Sequence, residues 1–178
     1  MAINQATLTL VEAARAGDDS AFEALIEPLL PPAYRLANGL LHDRHAAEDA
    51  VQESALKAWR KIGRLREGSD MRPWFLGIVA NECRSAMRTR WWSVIRNVLP
   101  DTADESTAEA VVEGIDLRRA LRSIPPAKRL ILVLHWYLDL PLDEIAQITG
   151  TSEHAAESRL VRATQDLRRR MEASRGRR

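Results

Sequence analysis

Apolar residues recur along this chain at the three- and four-residue spacing of helices, and the alternation that strands need is nearly absent. The clearest case runs from Leu140 to Met171. Leu142, Ile145, Ala146 and Thr149 share one face of a first helix, which Gly150 ends by tolerating a left-handed backbone. Ser152 offers its hydroxyl to the free amides of a second helix, where Ala156, Leu160, Ala163, Leu167 and Met171 form an inward stripe. At about 100° per residue, Ala155, Ser158, Arg162, Gln165 and Arg169 point the other way, with His154 and Arg159 on the flanks. A short helix, a glycine turn and a second helix with small or basic outward residues is the geometry that enters a DNA major groove. An ordinary helical hairpin with a solvated basic face has the same pattern.

The first half of the chain reads as further helices. Leu10–Arg15 is closed by Gly17, and Asp18, Asp19 and Ser20 supply caps for a helix holding Phe22, Leu25 and Ile26. Pro28, Pro31 and Pro32 predict an interruption before Tyr34 and Leu36 resume the pattern. In HDRHAAEDAVQESALKAWRKI, Ala47, Val51, Ala55, Ala58 and Ile62 form a buried stripe widened by Trp59. Glu48, Asp49, Gln52 and Glu53 lie together on another face. Acids early and Lys57, Arg60 and Lys61 late complement the helix dipole, and the same acids also suit a docking face. A third helix, MRPWFLGIVANECRSAMRTRWW, turns Leu76, Val79, Ala80, Cys83 and Met87 inward. Its other row is Trp74, Gly77, Asn81, Arg84 and Arg88, which suits stacking, close approach and phosphate contact with a strand of nucleic acid. The alternative for that row is a core tryptophan with solvated arginines.

Composition adds the domain plan. Residues 93–116 contain Pro100 and small polar residues and read as a flexible linker, so the fold class is all-α with two small helical domains, 1–92 and 117–178. Net charge is only +1, but its distribution is uneven: 12 Lys and Arg against 12 Asp and Glu in 1–92, 1 against 6 in 93–116, and 13 against 7 in 117–178. The linker is therefore acidic, and the basic excess sits with the helix-turn-helix, as phosphate binding requires. Cys83 is the one cysteine, which excludes a disulfide framework or a CxxC metal site. The N-terminus lacks the basic start and apolar core of a signal peptide, and no apolar run approaches the roughly 20 residues of a membrane span. These features predict a cytoplasmic protein without membrane insertion. His42, Asp43, His45 and Asp49 invite a metal or hydrolase reading, but no HExxH motif or second cluster supports them. No catalytic residue, metal or cofactor is assigned.

Several stretches in order then resemble one family. LVEAARAGDDSAFEALIEPL, HDRHAAEDAVQESALKAW, MRPWFLGIVANECRS, LRRALRSIPPAKRLILVLHWYLDLPLDEIAQITG and SRLVRA are similar to the sigma-70 family, specifically its extracytoplasmic function (ECF) group. The resemblance covers almost the whole chain. It implies a region 2 bundle, a linker and a region 4 helix-turn-helix, without catalysis. It further implies binding to core RNA polymerase, recognition of −35 and −10 promoter elements, help in opening the duplex, and control by an anti-sigma factor. On core polymerase the implied contacts are the clamp helices of the largest subunit and the flap region. Asp49, Gln52 and Glu53 match the clamp-docking residues. Trp74, Asn81, Arg84 and Arg88 match the −10 helix, and Arg66 and Ser69 lie in the loop Leu65–Asp70, where the group captures a flipped base. His154, Ala155, Ser158, Arg159 and Arg162 match the −35 recognition helix. Ser85 replaces a usual aspartate, and Glu157 stands where lysine is common. The rival readings are a stand-alone helix-turn-helix regulator and a metal-dependent hydrolase built on His42, Asp43 and His45.

Overall fold

The computed structural model describes residues 5–66, 68–96 and 112–175, and among them all regular structure is helical. The chain divides into two compact units, Met1–Met87 and Arg88–Arg178.

In the first unit, α1 spans Gln5–Arg15, beginning before the Leu10 expected from the pattern. The chain reverses at Gly17, whose φ of +96° is open to glycine at little cost. Asp18 caps α2 (Asp19–Ile26), its carboxylate accepting from the backbone N–H groups of Ser20 at 2.9 Å and Ala21 at 3.1 Å. The expected interruption is a single 3₁₀ turn, Glu27–Leu29, followed by α3 (Leu30–Leu41). Pro31 and Pro32 sit in the first turn of α3, where their missing N–H groups have no intrahelical acceptor to lose. After a left-handed His42, Asp43 accepts from the N–H of Ala46 at 3.0 Å and starts α4 (Arg44–Lys61). A 3₁₀ turn, Ile62–Arg64, leads into the loop 65–70, and Asp70 then accepts from the N–H of Arg72 at 2.9 Å to start α5 (Met71–Arg96).

Helices α3 and α4 pack together, as do α1 and α2. Leu36, Leu40, Phe75, Leu76, Val79 and Cys83 form the interior. The buried row of α4 differs from the expected stripe: Ala50 and Ser54 belong to it, whereas Ala55 is only half-buried. Ser54 enters an apolar core because its hydroxyl donates to the carbonyl of Ala50 at 2.6 Å, leaving no polar hydrogen unpaired.

The second unit contains α6 (Val112–Ser123), α7 (Pro126–Leu132), α8 (Leu142–Thr149) and α9 (Glu153–Arg175). Arg129 is buried, and its guanidinium donates to the carbonyls of Arg122 at 2.8 Å and Ile124 at 3.1 Å. It thereby satisfies the carbonyls at the end of α6 from the next helix. After α7 the backbone widens into one π-helical turn, Val133–Tyr137, closed by the N–H of Leu138 donating to the carbonyl of Val133 at 3.0 Å. The extra residue lets Leu134, Leu138 and Leu140 all face the core and leaves Trp136 and Tyr137 exposed.

The expected linker is shorter at both ends. Residues 93–96 complete α5 and 112–116 open α6, while 97–111 lie outside the described residues. The run Trp91–Arg96 contains neither glycine nor proline, so nothing local stops α5 where the basic and acidic segments meet.

Candidate nucleic-acid interface

The helix-turn-helix is built by α8, its turn and α9. Gly150 ends α8 at φ +64°, and the hydroxyl of Ser152 accepts from the N–H of Ala155 at 3.2 Å to begin α9. Thr149 donates its hydroxyl back to the carbonyl of Ile145 at 2.7 Å and meets the Thr151 hydroxyl at 3.0 Å, so the turn is held from both sides. Ala156 and Ala163 are wholly buried, which fixes the rotation of α9 about its own axis. His154, Arg159 and Arg162 are consequently exposed, while Ala155 and Ser158 of the same surface are half-buried. The Nε of Arg162 donates to the Ser158 carbonyl at 3.1 Å, keeping the guanidinium close to its own helix. Farther along, Asp166 pairs with both Lys128 and Arg169. Those cations hold the Asp166 carboxyl below the ordinary carboxylate range, Lys128 most strongly through its hydrogen bond.

The second surface lies along α5 and the loop before it. Asn81, Arg84 and Arg88 are exposed along α5, and Trp74 and Gly77 of the same row are half-buried. Arg84 donates to the side-chain carbonyl oxygen of Asn81. Because a guanidinium can only donate, this pairing leaves the Asn81 amide N–H groups facing outward. Arg66 is exposed and Ser69 half-buried in the loop before α5, where the N–H of Ser69 donates to the carbonyl of Arg66 at 3.1 Å.

The third surface is the acidic face of α4. Asp49 and Gln52 are exposed, and Glu53 is half-buried. Leu56, one turn beyond Gln52, is 51% exposed and sets an apolar side chain beside them. Glu53 lies 3.4 Å from Lys57, which also pairs with Glu82 on α5. The hydrogen bond that Lys57 donates to Glu82 is the main cause that raises the Lys57 pKa above its ordinary value. The sequence pattern placed Lys57 only against the helix dipole: its partner Glu53 is readable at four residues' spacing, but Glu82 is 25 residues away.

The four residues of the metal reading do not converge. Asp43 is used as the cap of α4, and the His45 side chain is 86% exposed with its ring nitrogen 3.7 Å from Glu48. Among the described residues, no group of three His, Cys, Asp or Glu is placed to hold a metal ion, and no helix is long and apolar enough to cross a membrane.

Comparison with known proteins matches residues 25–93 to Sigma-70 region 2 and residues 115–167 to Sigma-70 region 4. The ECF RNA polymerase sigma factor SigG of Mycobacterium tuberculosis is 32% identical over 86% of this chain and 48% of its own length. The chain thus spans about half the length of that relative. RNA polymerase sigma factor SigV of Bacillus subtilis is 31% identical over 76% of this chain and 81% of its own length. Among solved structures, the sigma factor RpoE in complex with the anti-sigma factor NepR, from Bartonella quintana, aligns with a TM-score of 0.69 at 25% identity. That alignment covers 85% of this chain and 96% of RpoE.

Proposed function

Since the chain belongs to the ECF group of the sigma-70 family, we propose that it binds core RNA polymerase, recognises promoter DNA at −35 and −10 elements, and promotes strand opening. On this reading it works in the cytoplasm, catalyses no reaction of its own and is controlled by an anti-sigma factor, the class of partner with which RpoE was solved. Region 2 would run to the end of α5 and region 4 from the start of α6, with the acidic segment between them as the linker.

The observation that carries the proposal is the exposed face of α4. Asp49 and Gln52 stand in solvent on a helix inside the region 2 match, in a unit separate from the helix-turn-helix. A duplex reader acting alone has no use for that face, whereas a subunit that must dock on a large partner does. Asp49, Gln52 and Glu53 are accordingly assigned to the clamp helices of the largest polymerase subunit. His154, Ala155, Ser158, Arg159 and Arg162 are assigned to the −35 duplex, where groove edges and phosphates are met together. Arg66, Ser69, Trp74, Asn81, Arg84 and Arg88 are assigned to the −10 element, most of them to a strand that becomes available only after base pairs open.

The test is run-off transcription and gel shift on a promoter obtained by mapping start sites after forced expression. Core polymerase with the chain should initiate there, and neither component alone should. Equal duplex binding by the chain with and without core polymerase, and no initiation, would support the stand-alone regulator instead.

A further inference from the structure

Helix α5 carries five arginines and one acid, Glu82. The acid follows Asn81 directly and is turned about 100° from it around the helix, beside a row that also holds Arg84 and Arg88. A carboxylate there opposes the arginines, because it repels the phosphates that they attract. Apolar packing does not hide it, since 19% of the Glu82 side chain is exposed. Its charge is met by Lys57, which donates to the Glu82 carboxylate from α4. A second carboxylate, Glu53 one turn earlier on α4, lies 3.4 Å from the same ammonium, whose three N–H donors suffice for both. Glu82 first, and Glu53 after it, raise the Lys57 pKa, so the ammonium stays charged throughout the neutral range.

One contact can fasten two helices and can also mask a charge, and the two roles have different consequences. Where Lys57 only fastens α4 to α5, losing either partner breaks the same tie and does the same harm. Where Lys57 masks Glu82, losing the lysine leaves a bare carboxylate beside the strand-facing row. Losing the Glu82 charge then removes nothing that a strand needs. Removing one member of a polar pair costs far more than removing both.

Resting on the sigma-factor reading, we propose that Lys57 is a positioning residue for −10 strand binding: it neutralises the one acid of α5 and holds it toward α4, so that Asn81, Arg84 and Arg88 meet the strand without an opposing charge. Lys57 acts through Glu82 and does not touch the strand. The surface assigned to polymerase and the one assigned to the strand thereby share an ammonium, since Glu53 belongs to the first and Glu82 adjoins the second.

The experiment uses holoenzyme assembled at saturating core polymerase, so that changes in docking drop out, and a promoter fragment with an unpaired −10 segment. Lys57→Met should bind that fragment about fivefold more weakly at about 0.1 M salt, the size of one screened charge contact. The deficit should shrink as salt is raised, because the screening length of about 10 Å shortens with ionic strength. Glu82→Gln should bind within about twofold of wild type, and the double variant Lys57→Met with Glu82→Gln should return to that level, since no carboxylate is left to mask. Lys57→Arg should also keep wild-type binding, because a guanidinium still pairs with the acid. Duplex binding at the −35 element should be the same in all four variants. Wild-type binding by Lys57→Met, Glu82→Gln as weak as Lys57→Met, or a double variant no better than Lys57→Met would overturn the inference. Failure of the wild-type chain to form a holoenzyme that binds the unpaired fragment would instead overturn the reading beneath it.

Discussion

The acidic face of α4 gives the sharpest test of docking, because its three residues differ in what the fold asks of them. Asp49 and Gln52 are exposed, so truncating either to alanine should change stability by less than about 0.5 kcal/mol. Glu53 is 44% exposed and lies 3.4 Å from Lys57, itself 35% exposed, so its loss removes a screened ion pair worth about 0.2–1 kcal/mol. Lys57 would stay anchored by Glu82, so the helix pair should hold. At an interface the magnitudes invert. Truncating one member of a buried charged pair costs about 2–5 kcal/mol, because the other charge is left unpaired. For the double change Asp49→Ala with Gln52→Ala, a loss of at least about 2 kcal/mol is expected, or roughly thirtyfold weaker core binding. Competition titration against labelled wild-type protein for core polymerase measures it, with circular dichroism and thermal melting as controls for the fold. Core affinity within threefold of wild type, with helicity and melting intact, would refute the assignment.

Three further outcomes follow from the same structure. Arg162→Ala should weaken duplex binding at the −35 element and lower its salt slope if the contact is to phosphate, whereas Asn81→Ala should leave duplex affinity intact and reduce permanganate-reactive thymines. Cys83 is buried in the first unit, and burial pushes its thiol up to about 12, so iodoacetamide at pH 8 should label it only after denaturation. Asp166 is held below its ordinary value by Lys128, so its contribution is present above the unfolded value of about 3.9 and is lost as pH falls through the lower folded value. Acid melting curves should therefore show a loss of second-unit stability below about pH 4 that Asp166→Asn lacks.

What the sequence revealed most fully was the part whose chemistry is local. Gly150 and Ser152 lie two residues apart, and each acts on backbone groups beside it, so the turn and both of its helices were readable from order alone. The cap Asp18 is of the same kind, whereas Asp43, weighed in the sequence only as a metal ligand, is the cap of α4. Ser54 was unreadable as a core residue because a hydroxyl counts as polar until its own acceptor is known. The π-helical turn was hidden in LILVLHWYLDL, a run apolar enough that no period distinguishes its inner from its outer positions. The hold of α1 on the loop 65–70 depends on a contact across 50 residues, from Arg15 to Leu65, and no spacing rule reaches that far. Of the sites expected on α5 and α9, Asn81, Arg84, Arg88, His154, Arg159 and Arg162 are exposed. Trp74, Ala155 and Ser158 are half-buried because helix faces shade into one another rather than ending at an edge.

The two buried alanines beneath α9 bear on how such a protein changes what it reads. Ala156 and Ala163 place small side chains, wholly buried, between the helix and its support, so methyl groups help to set its height above the rest of the unit. A valine or leucine there would add volume to a fully buried position, and overpacking of this kind moves backbone as well as costing about 1–3 kcal/mol. The displacement would be outward, carrying Arg159 and Arg162 with it. Heritable shifts in promoter preference are then open to positions that never meet DNA. A genetic selection for use of an altered −35 sequence should return changes at these concealed alanines as well as in the exposed row.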